Sequence, residues 1–549
     1  MIFKTNLNNA ENGDKVEFSA ILSAPSPPII PDGYDFSRHA YFEQIGALGY
    51  AVSDIRIIEK SSDEIFNATF LKKIRFNLQQ IILNNSGNSV GGIITALMIG
   101  EYASLDGKII ENLRISGLAH VLSVSGLHLS LIASIIFFSV RFLLNLNNFM
   151  ALEFNVKKIA AFVAIIGSFI YLMLTGAYIA AIRAFIMTSI VLLAVILDRI
   201  QLGIRSIAIA AIIVLLIFPQ YLVHPSFQMS FSAVLALISI YDILIKSGFK
   251  ISSYNLFYRI IFYFISITTS SLIAGIAIAP FIAYHFNQFS QYSILANILV
   301  IPVVSFYIMP LVVLALIVYP LGLLEYVLPY LGYGIEYFIM VSNYVAELPS
   351  SYSMVAKMSD LSLGLIICGS LWLLLWQEKW RYFGLIPTII GFILIFTKDQ
   401  PDLIIEKDTM NLVLRDNEGN IVFADRMRSR MKKEVFNRYY GKKDSTNLAK
   451  YFANDIDFSC AGQKCIFQKK HKKILIDYEH YESFSSCNPN FDLIFLPNTT
   501  TIDRHCKKFN IISNDDLIKH GSHVIYIHTK LKVETLIDNL GFRLWNAKN

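Results

Sequence analysis

The chain has 549 residues, 54% of them hydrophobic and only 16% charged, with a mean hydropathy of +0.51. These values exclude a soluble globular protein of this length, and long apolar runs between about residues 117 and 396 mark a polytopic membrane protein with polar ends. The net charge of +6 suits an anionic partner, but positive loops beside a membrane give the same excess on topological grounds.

In chain order, residues 1–116 form a first flank. Met1-Ile2-Phe3-Lys4 leads into no apolar signal-sequence core. Residues 13–22 alternate like one β-strand, and Pro25, Pro27, Pro28 and Pro31 then break the chain. Residues 36–50 mix aromatic and apolar side chains and are expected along a membrane surface. Residues 72–83 read as an amphipathic helix with Lys72, Lys73 and Arg75 on its wet side. Residues 93–102 are apolar but too short to span, so they are expected at the interface or packed against the bundle.

Spanning segments are expected near 117–144, 159–175, 177–197, 203–218, 227–245, 260–283, 293–318, 325–348, 361–376 and 382–397. Glu325, Pro329 and Glu336 interrupt the eighth, which is the weakest. Arg141, Lys157 and Lys158 lie in the first loop, Asp198, Arg199 and Arg205 in the third, Lys246, Lys250 and Arg259 in the fifth, and Lys379 and Arg381 in the ninth. Gly176 and the loops 219–226 and 284–292 carry no Lys or Arg. By the positive-inside rule the odd loops are cytoplasmic and both polar flanks lie outside the cytoplasm, provided the eighth segment spans.

Several polar points stand inside this apolar frame. Ser123-Val124-Ser125-Gly126 lies between His120 and His128 at the head of the first segment. Gly costs about 1 kcal/mol in a helix interior and Ser competes for backbone hydrogen bonds, so the helix is expected to break at Ser125-Gly126. Broken backbone at membrane depth needs protein or a wet cavity to satisfy it. Arg183 stands in an otherwise uncharged segment, where an arginine costs at least about 2.5–3.5 kcal/mol. It needs a partner, a wet cavity or an anion, and a guanidinium suits phosphate. Gln228 and Ser230 place hydrogen-bonding groups at the start of the fifth segment, and residues 284–290 form an uncharged aromatic loop. Each has a plainer reading: small residues for close helix packing, a bond to a helix carbonyl, interhelical glue, or an interfacial aromatic belt.

Residues 398–549 read as a separate small α+β domain. Short β-type runs occur at 402–405, 411–415, 421–424, 473–476, 493–496 and 524–527, with helix expected near 432–440 and 533–540. Four of the five cysteines, Cys460, Cys465, Cys487 and Cys506, lie here, while Cys368 is in an apolar segment. Two disulfides are the favoured reading, simplest as Cys460–Cys465 and Cys487–Cys506; a structural zinc site and free thiols are the alternatives. There is no phosphate-binding GxxxxGKS loop and no HxHxDH metal cluster, so neither an intrinsic ATPase nor a metal is expected.

Five stretches together resemble the ComEC/Rec2 family of bacterial DNA-uptake membrane proteins. They are SVSGLHLS at 123–130, LTGAYIAAIRAFIM at 174–187 with Asp198-Arg199 following, HPSFQMSFSAV at 224–234, FNQFSQYSILANILVIPVVS at 286–305 and DGYDFSRHAYFEQIGALGY at 32–50. Met229 and Asn287 stand where the family pattern has Leu and Gly. The likeness runs over about residues 13–400. The resemblance implies a competence (DNA-internalisation) protein of the inner membrane that passes single-stranded DNA during natural transformation. It implies that Ser125, Gly126, His128, Arg183, Gln228, Ser230 and Asn297 line or support the path. It also implies a separate cytoplasmic motor and a DNA receptor.

The family's leading helices and most of its OB-like domain have no counterpart before Gly13, and the tail lacks the nuclease metal motif. The chain therefore reads as N-terminally shortened, with no catalytic residue and no cofactor. An intramembrane enzyme, a small-solute transporter and an inactive truncated member are the alternatives. The expected fold is mainly α: a polytopic helical membrane bundle of about 8–10 spanning helices over 117–397, a partial N-terminal β/α flank over 1–116, and the small α+β domain over 398–549.

Overall fold

The structure is a computed structural model. It describes residues 14–59, 69–198, 203–246, 256–408, 410–416, 419–423, 429–443, 446–447, 457–479, 483–485, 487–499, 501–541 and 543–545. Arg199 and Lys250, which the loop-charge argument used, fall outside these.

The flank holds β1 (Lys15–Glu17), β2 (Ala20–Ser23), α1 (Phe36–Phe42), β3 (Leu48–Ala51) and β4 (Arg56–Glu59). The alternating run expected as one strand is two, because β1 pairs with β4 while β2 pairs with β3, both antiparallel. Asp35 caps α1 by accepting from the Arg38 backbone N–H at 3.1 Å.

The helical body follows: α2 (Thr69–Ile99), α3 (Gly107–Ile115), α4 (Ala119–Leu122), α5 (Gly126–Asn145), α6 (Asn148–Glu153), α7 (Val156–Leu174), α8 (Ile179–Ile196), α9 (Ile204–Ile217), α10 (Pro225–Lys246) and α11 (Leu256–Phe286). After the short strand β5 (Gln288–Ser290) come α12 (Ser293–Val303), α13 (Met309–Val318) and α14 (Leu324–Glu347). Strand β6 (Tyr352–Met354), which pairs with β5, leads to α15 (Asp360–Leu375) and α16 (Leu385–Thr397). Among the described residues six stretches are long and apolar enough to cross a bilayer, and three further apolar helices are shorter. This is a multi-pass membrane protein. The doubtful eighth segment forms one 24-residue helix, α14, with Pro329 inside it.

Two expectations for the first helices need correction. The stretch 72–83 and residues 93–99 of the next belong to one long element, α2, bent at Gly87, while 100–102 lie beyond its end. Of the two readings of its second half, packing against the bundle holds: Ile93, Ile94, Ala96 and Met98 are fully buried in the bundle core with α12, α13 and α14. Arg75 is not on a wet face. Its Nη2 donates to the Ile99 carbonyl at 3.1 Å, and its guanidinium packs on Gly176, whose φ of +83° is open to glycine.

The uncharged loops, the flank and the tail share one end of the bundle. Tyr221 donates to Glu43 of the flank at 3.3 Å, and Tyr284 donates to Asp360 at 2.7 Å. Lys398, just beyond α16, pairs with Asp32 of the flank at 3.0 Å. At the opposite end Lys158 of the first loop pairs with Asp198 of the third at 2.6 Å. Trp372, Trp376 and Trp380 cluster there with ring centroids 4.3–5.6 Å apart, as an interfacial belt does.

The tail is a two-sheet sandwich. One sheet runs β10 (Thr446–Asn447), β9 (Ile421–Phe423), β8 (Leu412–Arg415), β7 (Leu403–Ile405), β18 (His523–Ile527), β19 (Leu531–Thr535). The other runs β11 (Asp457–Ala461), β12 (Lys464–Lys469), β13 (Lys472–Asp477), β15 (Leu493–Leu496), β17 (Ile511–Ser513). A small side pair joins β14 (Ser483–Phe484) and β16 (Thr501–Ile502). Leu403, Leu414, Ile525, Phe467, Ile474 and Phe495 fill the space between the two main sheets. Helix α17 (Arg430–Tyr440) and Ile30 of the flank cover the outer face of the first. Short helices α18 (Asn514–His520) and α19 (Leu536–Leu540) complete the tail. The helix expected over 533–540 starts only at Leu536, because Val533 pairs with Ile525 in β19.

Candidate functional site: a broken helix and a buried arginine

The predicted break is present. Ser123 and Ser125 are extended, and α5 starts at Gly126 with Ser125 as its N-cap. The Val124 N–H freed by the break donates to the Tyr102 hydroxyl at 3.4 Å. The Ser125 N–H donates to His128 Nδ1 at 3.2 Å, and Ser125 Oγ lies equally close to that nitrogen. With Nδ1 accepting, Nε2 carries the proton. His128 is fully buried, and its Nε2 has no hydrogen-bond partner among the described residues. His120 differs: its Nδ1 lies 3.0 Å from the Gly117 carbonyl and must donate to it, and the residue is exposed. Gly117, at φ +79°, presses the loop onto the start of α12, where a Cβ would fall 2.6 Å from Ser293 Cβ. One turn along α12, Asn297 keeps its Oδ1 buried and unpartnered.

Arg183 lies in the second turn of α8 and is 7% exposed. Its Nε and Nη1 are buried without a partner, and no carboxylate is within ion-pair distance among the described residues. The next residue, Ala184, faces Gly126, where an added Cβ would be 4.0 Å from Ala184 Cβ, so the helix break and the arginine's helix adjoin. Arg183 lies within electrostatic reach of His224, as do Arg38 and His39 of α1. Burial chiefly, and then the neighbouring His39, Arg183 and Arg38, push His224 down to about 4, so it is neutral near pH 7. Its Nδ1 accepts from the Ser226 N–H at 3.2 Å.

One turn further, Gln228 bridges two elements. Its Nε2 donates to the Leu222 carbonyl at 3.1 Å, and its Oε1 accepts from His285 Nε2 at 2.8 Å, tying α10 to α11. Ser230, half-buried on the same helix, makes no side-chain hydrogen bond among the described residues. Lys357 reaches over the Tyr284 ring at 4.1 Å and donates to its carbonyl at 3.2 Å. Burial holds the Lys357 ammonium below the usual lysine range. Phe286 and Phe289, each 42% exposed, stand on the same rim.

The predicted residues thus fall into two adjoining groups rather than one. Ser125, Gly126 and His128 form the break and Asn297 lies one turn beyond the α12 residue that Gly117 meets, while Arg183 is on α8 and Gln228 and Ser230 are on α10. Sequence reasoning missed Tyr102, Lys357 and Asp360, whose roles depend on contacts between loops far apart in the chain. The carboxylates nearby are already engaged: Asp32 by Lys398 and Asn539, Asp35 by Trp545, Glu43 by Tyr221 and Asp360 by Tyr284. Only Asp32 has a cationic partner; Asp35, Glu43 and Asp360 accept from neutral donors and keep their charge. Arg183 is buried away from all of them, with no carboxylate in ion-pair range among the described residues, and can receive an anion there. At the break Ser125 Oγ lies 3.2 Å from His128 Nδ1, and the Ser125 backbone N–H, equally close, competes for the lone pair that a general base would use.

In the tail, Cys460 is joined to Cys465 and Cys487 to Cys506. His505 lies close enough to Cys487 and Cys506 for the three to hold a metal, but a disulfide leaves those sulfurs without thiolate character.

A family model described as competence protein matches residues 97–380, just over half of the chain. ComE operon protein 3 of Bacillus subtilis strain 168 is 24% identical over 226 residues, which is 41% of this chain and 27% of that protein. The matched region therefore spans about a quarter of that relative's length. No solved structure matches. The matched segment contains the helix break, Arg183, Gln228 and Asn297, and the chain belongs to the competence protein family.

Proposed function

We propose that this chain takes part in DNA uptake as an inner-membrane channel through which single-stranded DNA passes during natural transformation. The observation that carries the reading is Arg183, a buried guanidinium whose Nε and Nη1 have no hydrogen-bond partner and which meets no carboxylate among the described residues. Such a group is costly in a membrane unless an anion visits it, and a phosphodiester oxygen matches its donor fork. The helix break adjoins the arginine's helix, and broken helices at membrane depth are tolerated where they pack in protein or line a wet cavity. The exposed rings of Phe286 and Phe289 on the rim offer faces on which bases stack.

In this reading both polar flanks lie outside the cytoplasm, since the loops rich in Lys and Arg are at the other end of the bundle. Transport against a gradient then requires a separate cytoplasmic motor, and capture of the strand a separate receptor. The test is uptake of labelled DNA by a transformable strain carrying Arg183→Ala beside wild type. Uptake should fall at least tenfold at equal membrane abundance. Normal uptake by a well-expressed variant removes Arg183 from the path.

A further inference from the structure

The tail carries a second cationic surface, remote from Arg183. Residues Lys469, Lys470, His471, Lys472 and Lys473 cross the turn between β12 and β13, with Lys470 and His471 both at positive φ. His528, Thr529 and Lys530 form the turn between β18 and β19. The turns belong to different sheets, yet they abut: Lys470 Nζ donates to the Ile527 carbonyl at 3.2 Å, and Lys470, His528 and Thr529 line one shallow hollow.

The connectivity places this edge at the membrane. Strand β7 begins six residues after α16 ends, and β18 runs antiparallel to it, so the Ile527 end of β18 points back toward the bilayer. Asp402 accepts from the Ile527 N–H at 2.8 Å and from Lys469 Nζ at 2.6 Å, which fixes both turns beside the exit of α16. His528 Nε2 is 3.4 Å from Asp399, two residues past the last residue of α16. Helix α16 exposes Ile386, Ile389, Ile390, Ile393 and Phe396, so it stands at the lipid-facing rim of the bundle.

Not all of the charge is free. Lys469 pairs with Asp402, Lys472 with Asp492 and Lys532 with Glu534. Lys470, His471, Lys473 and Lys530 are exposed and meet no carboxylate among the described residues. The two turns carry no Phe, Tyr or Trp on which a base could stack, unlike the rim at Tyr284–Phe289.

We propose that this edge docks on the phosphate headgroups of anionic lipid in the bilayer around α16, holding the tail sandwich against the membrane. Three exposed lysines at headgroup level each add about 1 kcal/mol of attraction to an anionic surface, on the order of a hundredfold in affinity together. The inference is independent of what passes through the bundle.

The experiment uses the full chain in nanodiscs, compared in phosphatidylcholine and in phosphatidylcholine mixed with phosphatidylglycerol, with hydrogen exchange read by mass spectrometry. Amides at 470–473 and 528–531 should exchange several-fold more slowly with phosphatidylglycerol. High salt and the triple variant Lys470→Gln/Lys473→Gln/Lys530→Gln should abolish the slowing, while strands β7 and β13 report that the sandwich is intact. Equal exchange in the two lipids overturns the proposal, as does slowing that survives the triple variant. Should the variant misfold, the salt response of the wild-type chain decides alone. A third arm adds oligothymidylate to phosphatidylcholine discs; protection by the oligomer but not by phosphatidylglycerol assigns the edge to nucleic acid and overturns the lipid assignment.

Discussion

Ser125 and His128 close the first turn of α5 on each other, the serine N–H donating to His128 Nδ1 at 3.2 Å. The bond makes His128 a capping residue at N3, and it also leaves a buried Nε2–H with nothing to bond. Two substitutions separate the roles. Gln can accept the same N–H from N3, as in a capping box, whereas Ala cannot. His128→Ala should lose about 1 kcal/mol of stability for the missing cap, and more for the cavity. His128→Gln should melt within a few degrees of wild type in detergent. If Nε2–H faces the path, uptake by His128→Gln falls at least tenfold despite the intact fold; uptake equal to wild type reduces His128 to a cap.

Arg183 makes the opposite prediction for stability. A buried unpaired cation costs free energy, and an apolar side chain of similar length avoids that cost. Arg183→Met should therefore stabilise the detergent-solubilised protein by about 1–3 kcal/mol, read as resistance to thermal or SDS unfolding. The same variant should be defective in uptake. A gain in stability with a loss of transport marks a side chain retained for what it meets. Destabilisation would instead reveal a structural bond at Arg183.

His224 gives a test in pH. Its native value of about 4 lies below the ordinary 6.5, chiefly through burial. Between these values the unfolded chain binds the proton and the native one does not, so stability rises with pH across that window and is lost as pH falls from about 6.5 to 4. Carboxylates titrate in part of the same range, so the informative quantity is a difference. His224→Asn keeps an acceptor for the Ser226 N–H but cannot protonate. Its melting temperature should fall less steeply than that of wild type between pH 6.5 and 4, and parallel curves would show that His224 titrates normally.

The sequence made the helix break legible because Ser and Gly act locally on the backbone, and Arg183 stood out because its cost depends only on apolar neighbours in its own segment. The grouping of these residues was not legible. Whether Gln228 meets His285, or Tyr102 meets Val124, depends on packing between helices that no local pattern encodes. Likewise the length of 93–102 left two readings open, interface or packing against the bundle, and only tertiary packing decides, burying residues 93–99 in the core. In the tail, strands with uniformly apolar residues such as Leu493–Leu496 announced themselves. The hairpin of β11 and β12 did not, since Ser, Cys, Lys and Gln interleave with its apolar residues.

The two cysteine bridges should differ in what they contribute. Cys460 and Cys465 are directly opposed across the β11–β12 hairpin, five residues apart in sequence, so the turn already holds them together. Cys487 and Cys506 close a separation of 19 residues that includes β15 and β16, and Cys506 is fully buried against Phe484, Ile494 and Leu496. On chain entropy alone the longer loop is worth about 3 kcal/mol and the shorter about 2. Burial widens the gap, because serine at position 506 would place an unpaired hydroxyl in an apolar cluster. Cys487→Ser/Cys506→Ser should therefore lower the melting temperature of the tail strands clearly more than Cys460→Ser/Cys465→Ser, as read by hydrogen exchange at Ile494–Leu496. Mass spectrometry of the alkylated wild-type chain should show Cys368 alone modified before reduction and all five cysteines after it. Alkylation of Cys487 and Cys506 without reductant, suppressed by zinc, would mean that these two residues and His505 hold a metal instead.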